Sequence, residues 1–270
     1  VLTYTYGVKN SFEHKIAQKV TQQLNYKHLF IEYDEVSLNE FLSTRFIEFA
    51  TQNHHYTGLP NEQDYFALAY MQQHNLIPKN ALFLQGTFAD CFAASMYQSE
   101  FYLAYYKEYI NNNLLDYRQW YSINRAAKFS TNGLRTFEFF NYPWFILSNH
   151  HDLFQNWYSV PIKDAYTSYE QFLMQHFFKL LQIDFYKPSH PKKNKFKKIL
   201  KSILPNNIVK YIQNNNYKKL QNDPINTQYL SKQLKTLIKN KKFQKQNNFN
   251  TLWAYYFIHK IFLNEKDTSL

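Results

Sequence analysis

Apolar positions switch between two spacings along the first third of the chain. The run over residues 1–6 is apolar or aromatic at nearly every second place, ends at Gly7 and reads as a strand. Behind it Phe12, Ile16, Val20 and Leu24 recur at helical spacing, with Ser11 placed to cap and Asn25 to stop, which predicts a helix over 13–24. Residues 28–33 read as a second strand, and Leu38, Phe41, Leu42, Phe46 and Phe49 mark one face of a helix over 37–49. A polar loop with His54, His55 and Gly58 leads to Pro60 and Asn61, which introduce a helix over 62–74. A third strand then runs into Gly86, and Asp90 heads the next helical pattern. Alternating β and α elements predict a parallel sheet with right-handed crossovers. Ligands of open α/β sheets bind at the carboxyl ends of strands, so the turns at Gly7 and at Gly86 to Asp90 are the candidate edges.

Beyond Cys91 strand patterns fade and helical ones take over, at 99–111, 116–140, 151–157 and 168–181. Pro188, Pro191, Pro205 and Pro224 then divide a polar stretch into short helices expected over 196–202, 207–213 and 227–240. A last helix over 251–262 would pack back through Leu252, Tyr255, Tyr256, His259 and Phe262. The expected class is α/β, a parallel sheet with flanking helices followed by a mostly helical C-terminal half. Three regions result: an α/β region over 1–97 whose two strand edges suggest a nucleotide-type crevice, a helical part over 98–186 and a Lys-rich helical extension over 187–270.

Charge alters this picture in one place. The net charge is +11, yet residues 187–245 alone carry sixteen lysines against Asp223, so the rest of the chain is slightly acidic. The basic character therefore belongs to the extension and not to the strand edges. Solvated surface, anionic membrane, nucleic acid or another subunit are its possible partners, with nucleic acid least favoured because no recognised motif accompanies the lysines. Gly is scarce, at four residues, and the single cysteine, Cys91, excludes an internal disulfide and a Cys-based zinc site. No apolar run reaches the length of a membrane span, and a cytoplasmic protein, with attachment at the inner face of the membrane as an option, is expected. The chain opens directly on a strand without methionine, and a preceding segment is expected.

Three islands in order carry a resemblance. Tyr4-Thr5-Tyr6-Gly7 with Glu13 and Ala17 is followed by Gln63-Asp64, Leu76-Ile77-Pro78 and Leu82 to Gly86 with Asp90, and then by RAAKFSTNGLRTFEFFNYPW over 125–144. Together they resemble the synthetase domain of asparagine synthase-like proteins, in the form found in bacterial surface-polysaccharide loci, over residues 1–181. The resemblance implies an adenine nucleotide alpha hydrolase-like fold of the N-type ATP pyrophosphatases. It also implies ATP and Mg²⁺ as cofactors and adenylation of a carboxylate, such as that of a sugar acid, for amide formation with an amine or ammonia. On the matching positions it assigns nucleotide binding to Tyr6, Gly7 and Gly86, the metal to Asp90, and stabilisation of departing pyrophosphate to Lys128 and Arg135.

The departures are equally specific. The family's Ser-Gly-Gly-x-Asp-Ser loop would lie before the first strand, and Cys91 and Ala93-Ala94 stand where an acidic pair or Gly-Gly is usual. A non-catalytic homologue, acting as a binding or scaffold subunit through its basic tail, is the alternative. Simple readings compete at single positions too. Asp90 is also a favourable helix start, Lys128 and Arg135 also suit a solvated face, and Gln63-Asp64, which the resemblance links to holding the acceptor substrate, also suits a cap. Cys91 reads as a small buried hydrophobe, the aromatic stripe over 101–109 as core, and the pairs His54-His55 and His150-His151 as divergent loop residues.

Overall fold

The computed structural model describes residues 1–34, 38, 43–53, 63–86, 130–147, 150–182, 226–246 and 248–262. Strand β1 (Leu2–Gly7) leads into helix α1 (Phe12–Gln23) and back to β2 (Lys27–Glu32), which pairs with β1 in parallel, Leu2 opposite Lys27 through Gly7 opposite Glu32. A bond from Tyr33 N to the Gly7 carbonyl, 2.9 Å, extends this ladder. The predicted cap holds, since the Ser11 hydroxyl accepts from His14 N at 3.3 Å.

With Gly so scarce, Asn supplies the left-handed positions that end helices. Asn25 (φ 53°) ends α1, Asn75 (φ 53°) ends α3 (Tyr65–Gln73), and Asn141 (φ 62°) ends α4 (Thr131–Phe139). At each, the Asn N–H and the next N–H bond back into the last turn, as in Asn25 to Gln22 and Tyr26 to Thr21, which satisfies carbonyls the helix end would orphan.

Helix α2 (Thr44–Asn53) starts later than the pattern of apolar residues suggests. The Ser43 hydroxyl caps it, accepting from Phe46 N at 3.1 Å; residues 37 and 39–42 of the expected helix lie outside the described residues. Leu38 is nevertheless buried. The third strand, β3 (Phe83–Gln85), does not join the first pair. It makes a second parallel two-stranded sheet with β4 (Trp144–Ile146), a strand absent from the reading of the second half as helical. Its three residues, hard against Pro143, are too few for a strand period to register. Among the described residues the architecture is mixed α/β with two small parallel sheets.

Helices α5 (His151–Tyr158) and α6 (Ile162–Leu173) follow, and α6 continues as a π-helical turn, Met174–Phe178. Then α7 (Thr227–Leu237), the short α8 (Lys241–Gln244) and α9 (Phe249–Phe257), with a π-helical end at Ile258–Phe262, complete the described chain. The helices expected over 99–111, 196–202 and 207–213 lie outside the described residues.

The core gathers around Phe46. Its ring lies 5.0 Å from Tyr65, 5.6 Å from Phe66 and 5.6 Å from Trp253. Trp253 comes from α9, and Leu230, Leu234, Ile238, Leu252 and Phe257 join it in the same buried cluster as Ile31, Phe83 and Phe137. The described part of the Lys-rich extension is thus built into the hydrophobic core. Leu252 packs inward as expected, whereas Tyr255 and Tyr256 are only partly buried and Trp253 takes the central place. Arg45 caps the assembly on one side, its guanidinium 4.9 Å from the Phe140 ring centre and bonded to Gln72.

Candidate functional site

Alternation along β1 puts Tyr4 and Tyr6 on one face. Both phenols reach the same carboxyl group. Tyr4 Oη donates to Asp64 Oδ1 at 3.2 Å, and Tyr6 also hydrogen-bonds Asp64. Tyr33, immediately after β2, stacks on Tyr6 with centroids 5.0 Å apart and planes 13° from parallel. Its hydroxyl donates to the Gln63 carbonyl and accepts from Ala67 N, fixing the start of α3 beside the strand ends. From the other side, the Gln85 side chain at the end of β3 bonds Tyr4, and Phe83 meets the Tyr4 ring edge-on at 5.9 Å. Two strand ends and one helix start therefore converge on Asp64.

Asp64 occupies the position before α3 but makes no side-chain cap bond, contrary to the capping role its place suggests. Its carboxyl is turned to the phenols instead. Part of the residue stays accessible, yet protein surrounds the carboxyl closely, and burial pushes it up to about 6 against the donated phenol bonds, which pull it down. Burial, with the nearby Asp64 charge second, also raises Tyr4; burial, then Tyr6 and Asp64, raises Tyr33. The phenols therefore stay protonated and able to donate.

The residues assigned by resemblance fall into two groups. Tyr6, Gly7 and Gly86 lie at or next to this cluster: Gly7 closes β1 with φ 126°, a conformation side chains resist, and Gly86 follows Gln85. Among the described residues a Cβ at Gly86 would meet nothing within 4 Å. Arg135 is partly exposed on α4, with its Nε 3.4 Å from Glu138 Oε2; Glu138 also accepts from Trp144 Nε1 at 3.1 Å. Asp90, Lys128, Cys91, His54, His55 and the stripe over 101–109 lie outside the described residues. His150 lies 3.9 Å from the Asp152 carboxylate on the surface, and His151 is exposed. Among the described residues no group of three or more His, Cys, Asp or Glu could hold a metal ion.

The opposite face of β1 holds a second polar set. Thr3 and Thr5 flank His28, at 2.9 Å from Nδ1 and 3.0 Å from Nε2, and burial followed by His14 lowers the His28 pKa. Both ring nitrogens are engaged, which makes His28 a strap across the sheet. The sequence reading names Tyr4, Tyr6, Gln63 and Asp64 in its islands but does not join them, because Tyr4 and Asp64 lie 60 positions apart and no local motif links them. The available signal was the i, i+2 pair Tyr4 and Tyr6 in a strand, which needs a polar partner wherever that face is buried.

Compared with known proteins, the chain matches no family model, no curated protein and no solved structure.

Proposed function

We propose that the chain is an asparagine synthase-like, ATP-dependent ligase domain that adenylates a carboxylate for attack by an amine or ammonia, in cell-surface polysaccharide synthesis. The observation that carries the reading is the carboxyl edge of β1. There Gly7 adopts a backbone conformation open to close approach, and Asp64 is kept in surroundings that work against its charge. A desolvated carboxyl beside strand ends is a candidate functional group. Tyr6, Gly7 and Gly86 would face the nucleotide, whose phosphates suit backbone N–H groups at strand ends. Asp64 would position Tyr4 and Tyr6. Bound ATP would supply the activating phosphoryl chemistry, and Mg²⁺ would depend on Asp90, since the described residues offer no metal cluster. Lys128 and Arg135 would meet departing pyrophosphate, Arg135 only after leaving Glu138.

That pairing of Arg135 favours the second reading, a non-catalytic homologue that acts as a binding or scaffold subunit. ATP–pyrophosphate exchange separates the two. Exchange by the full-length gene product, lost in Asp90→Asn, is expected of the ligase. Absence of exchange together with absence of nucleotide binding in a calorimeter would refute the ligase and leave the scaffold.

A further inference from the structure

The extension that supplies the core with Trp253 turns a different chemistry outward. Between residues 226 and 262 there are seven lysines and no aspartate, glutamate or arginine. On α7, Leu230 and Leu234 are 1% and 0% exposed, while Lys232, two places from each, is exposed and Lys235 half-exposed on the far side. Lys239, Lys241, Lys242 and Lys245 continue the exposed series past the end of the helix and through α8. Leu237 sits among them with 44% of its surface in solvent. Because the inward stripe is locked into the core, these charges stand on a fixed scaffold and not on a loose tail.

We propose that the outward surface of α7 and α8 docks on an anionic lipid bilayer. Lysines bring compact charge on long apolar stems that lie along a headgroup layer, and Leu237 offers an apolar contact at the same level. Nucleic acid would call for stacking rings or arginine forks. Residues 226–262 include no arginine, and Phe243 stacks on Tyr255 at 3.9 Å while Tyr255 lies 4.1 Å from His259. Among the described residues no helix is long and apolar enough to cross a membrane, so the contact is with the surface of the bilayer. Such docking is independent of whether the strand-edge site is catalytic.

Sedimentation with sucrose-loaded vesicles tests it. The whole chain should pellet with phosphatidylcholine vesicles containing phosphatidylglycerol, not with phosphatidylcholine alone, and salt should release it. The combined variant Lys232→Gln, Lys241→Gln and Lys242→Gln alters only exposed positions. It should keep its helical circular dichroism and lose roughly a hundredfold in partitioning, on the basis of the contribution expected per lysine near an anionic surface. Leu237→Ser should lower the salt concentration at which the protein is released. Equal binding to neutral vesicles, no binding to anionic ones, or an unaffected triple variant would overturn the proposal. So would tighter capture by an oligonucleotide or by polyglutamate than by vesicles.

Discussion

Replacing Trp253 by alanine tests whether the Lys-rich extension belongs to the fold or hangs from it. Trp253 is 1% exposed, and its ring lies 5.6 Å from Phe46, 5.5 Å from Phe257 and 6.1 Å from Tyr256. A buried indole removes about 200 Å² from water, worth about 5 kcal/mol at ~25 cal/mol per Å². Truncation of buried Trp or Phe costs about 3–5 kcal/mol in practice, and the whole stability of a domain is only about 5–15 kcal/mol. Trp253→Ala should therefore move the urea midpoint by a large fraction of its value, in one transition that takes the N-terminal helices with it. The assay is far-UV circular dichroism against urea, alongside Leu237→Ala, whose side chain is exposed and whose cost should stay within about 0.5 kcal/mol. A loss below about 1 kcal/mol, or a separate early transition with the main one unmoved, would refute the placement of α9 in a shared core.

Asp64→Asn should make the protein more stable at neutral pH. The folded carboxyl titrates at about 6 against 3.8 in the open chain, so the unfolded state gives up its proton first and stability falls as pH rises from about 4 to about 6. Each tenfold difference in proton affinity between the folded and open chain is worth ~1.4 kcal/mol, so the amide variant should gain about 2–3 kcal/mol at pH 7 and nothing at about pH 3.5. The readout is the difference in urea midpoints across that range, and an equal difference at both ends would sink the assignment. Gly7→Ala should cost about 1–3 kcal/mol, because φ 126° lies where side chains clash with the backbone. A neutral thermal melt for that variant would mean Gly7 does not hold the strained turn described.

Local grammar carries well into the structure, and distant pairing does not. Ser11, Asn25 and the alternation over β1 are readable because a cap, a left-handed stop and a period of two each act within a few residues. The start of α2 is not, because a long apolar stripe outweighs a single serine on the page, although Ser43 makes the capping bond. In the extension, lysine density hides a plain inward series, Leu230, Leu234 and Ile238, that composition alone cannot reveal. The site is legible only as an edge. Gly7 marks it, but the carboxyl there is Asp64, whose place before α3 suggests a cap while its partners come from β1.

Asn226, at the head of α7, donates to the Tyr33 carbonyl across 193 positions of sequence. A ribosome adding ~5–20 residues per second needs roughly 10–40 s to cover that distance. Over a similar interval Phe46, Tyr65 and Phe66 await the tryptophan that covers them, and a nascent chain so rich in unsheltered aromatic rings invites chaperone capture before α9 arrives.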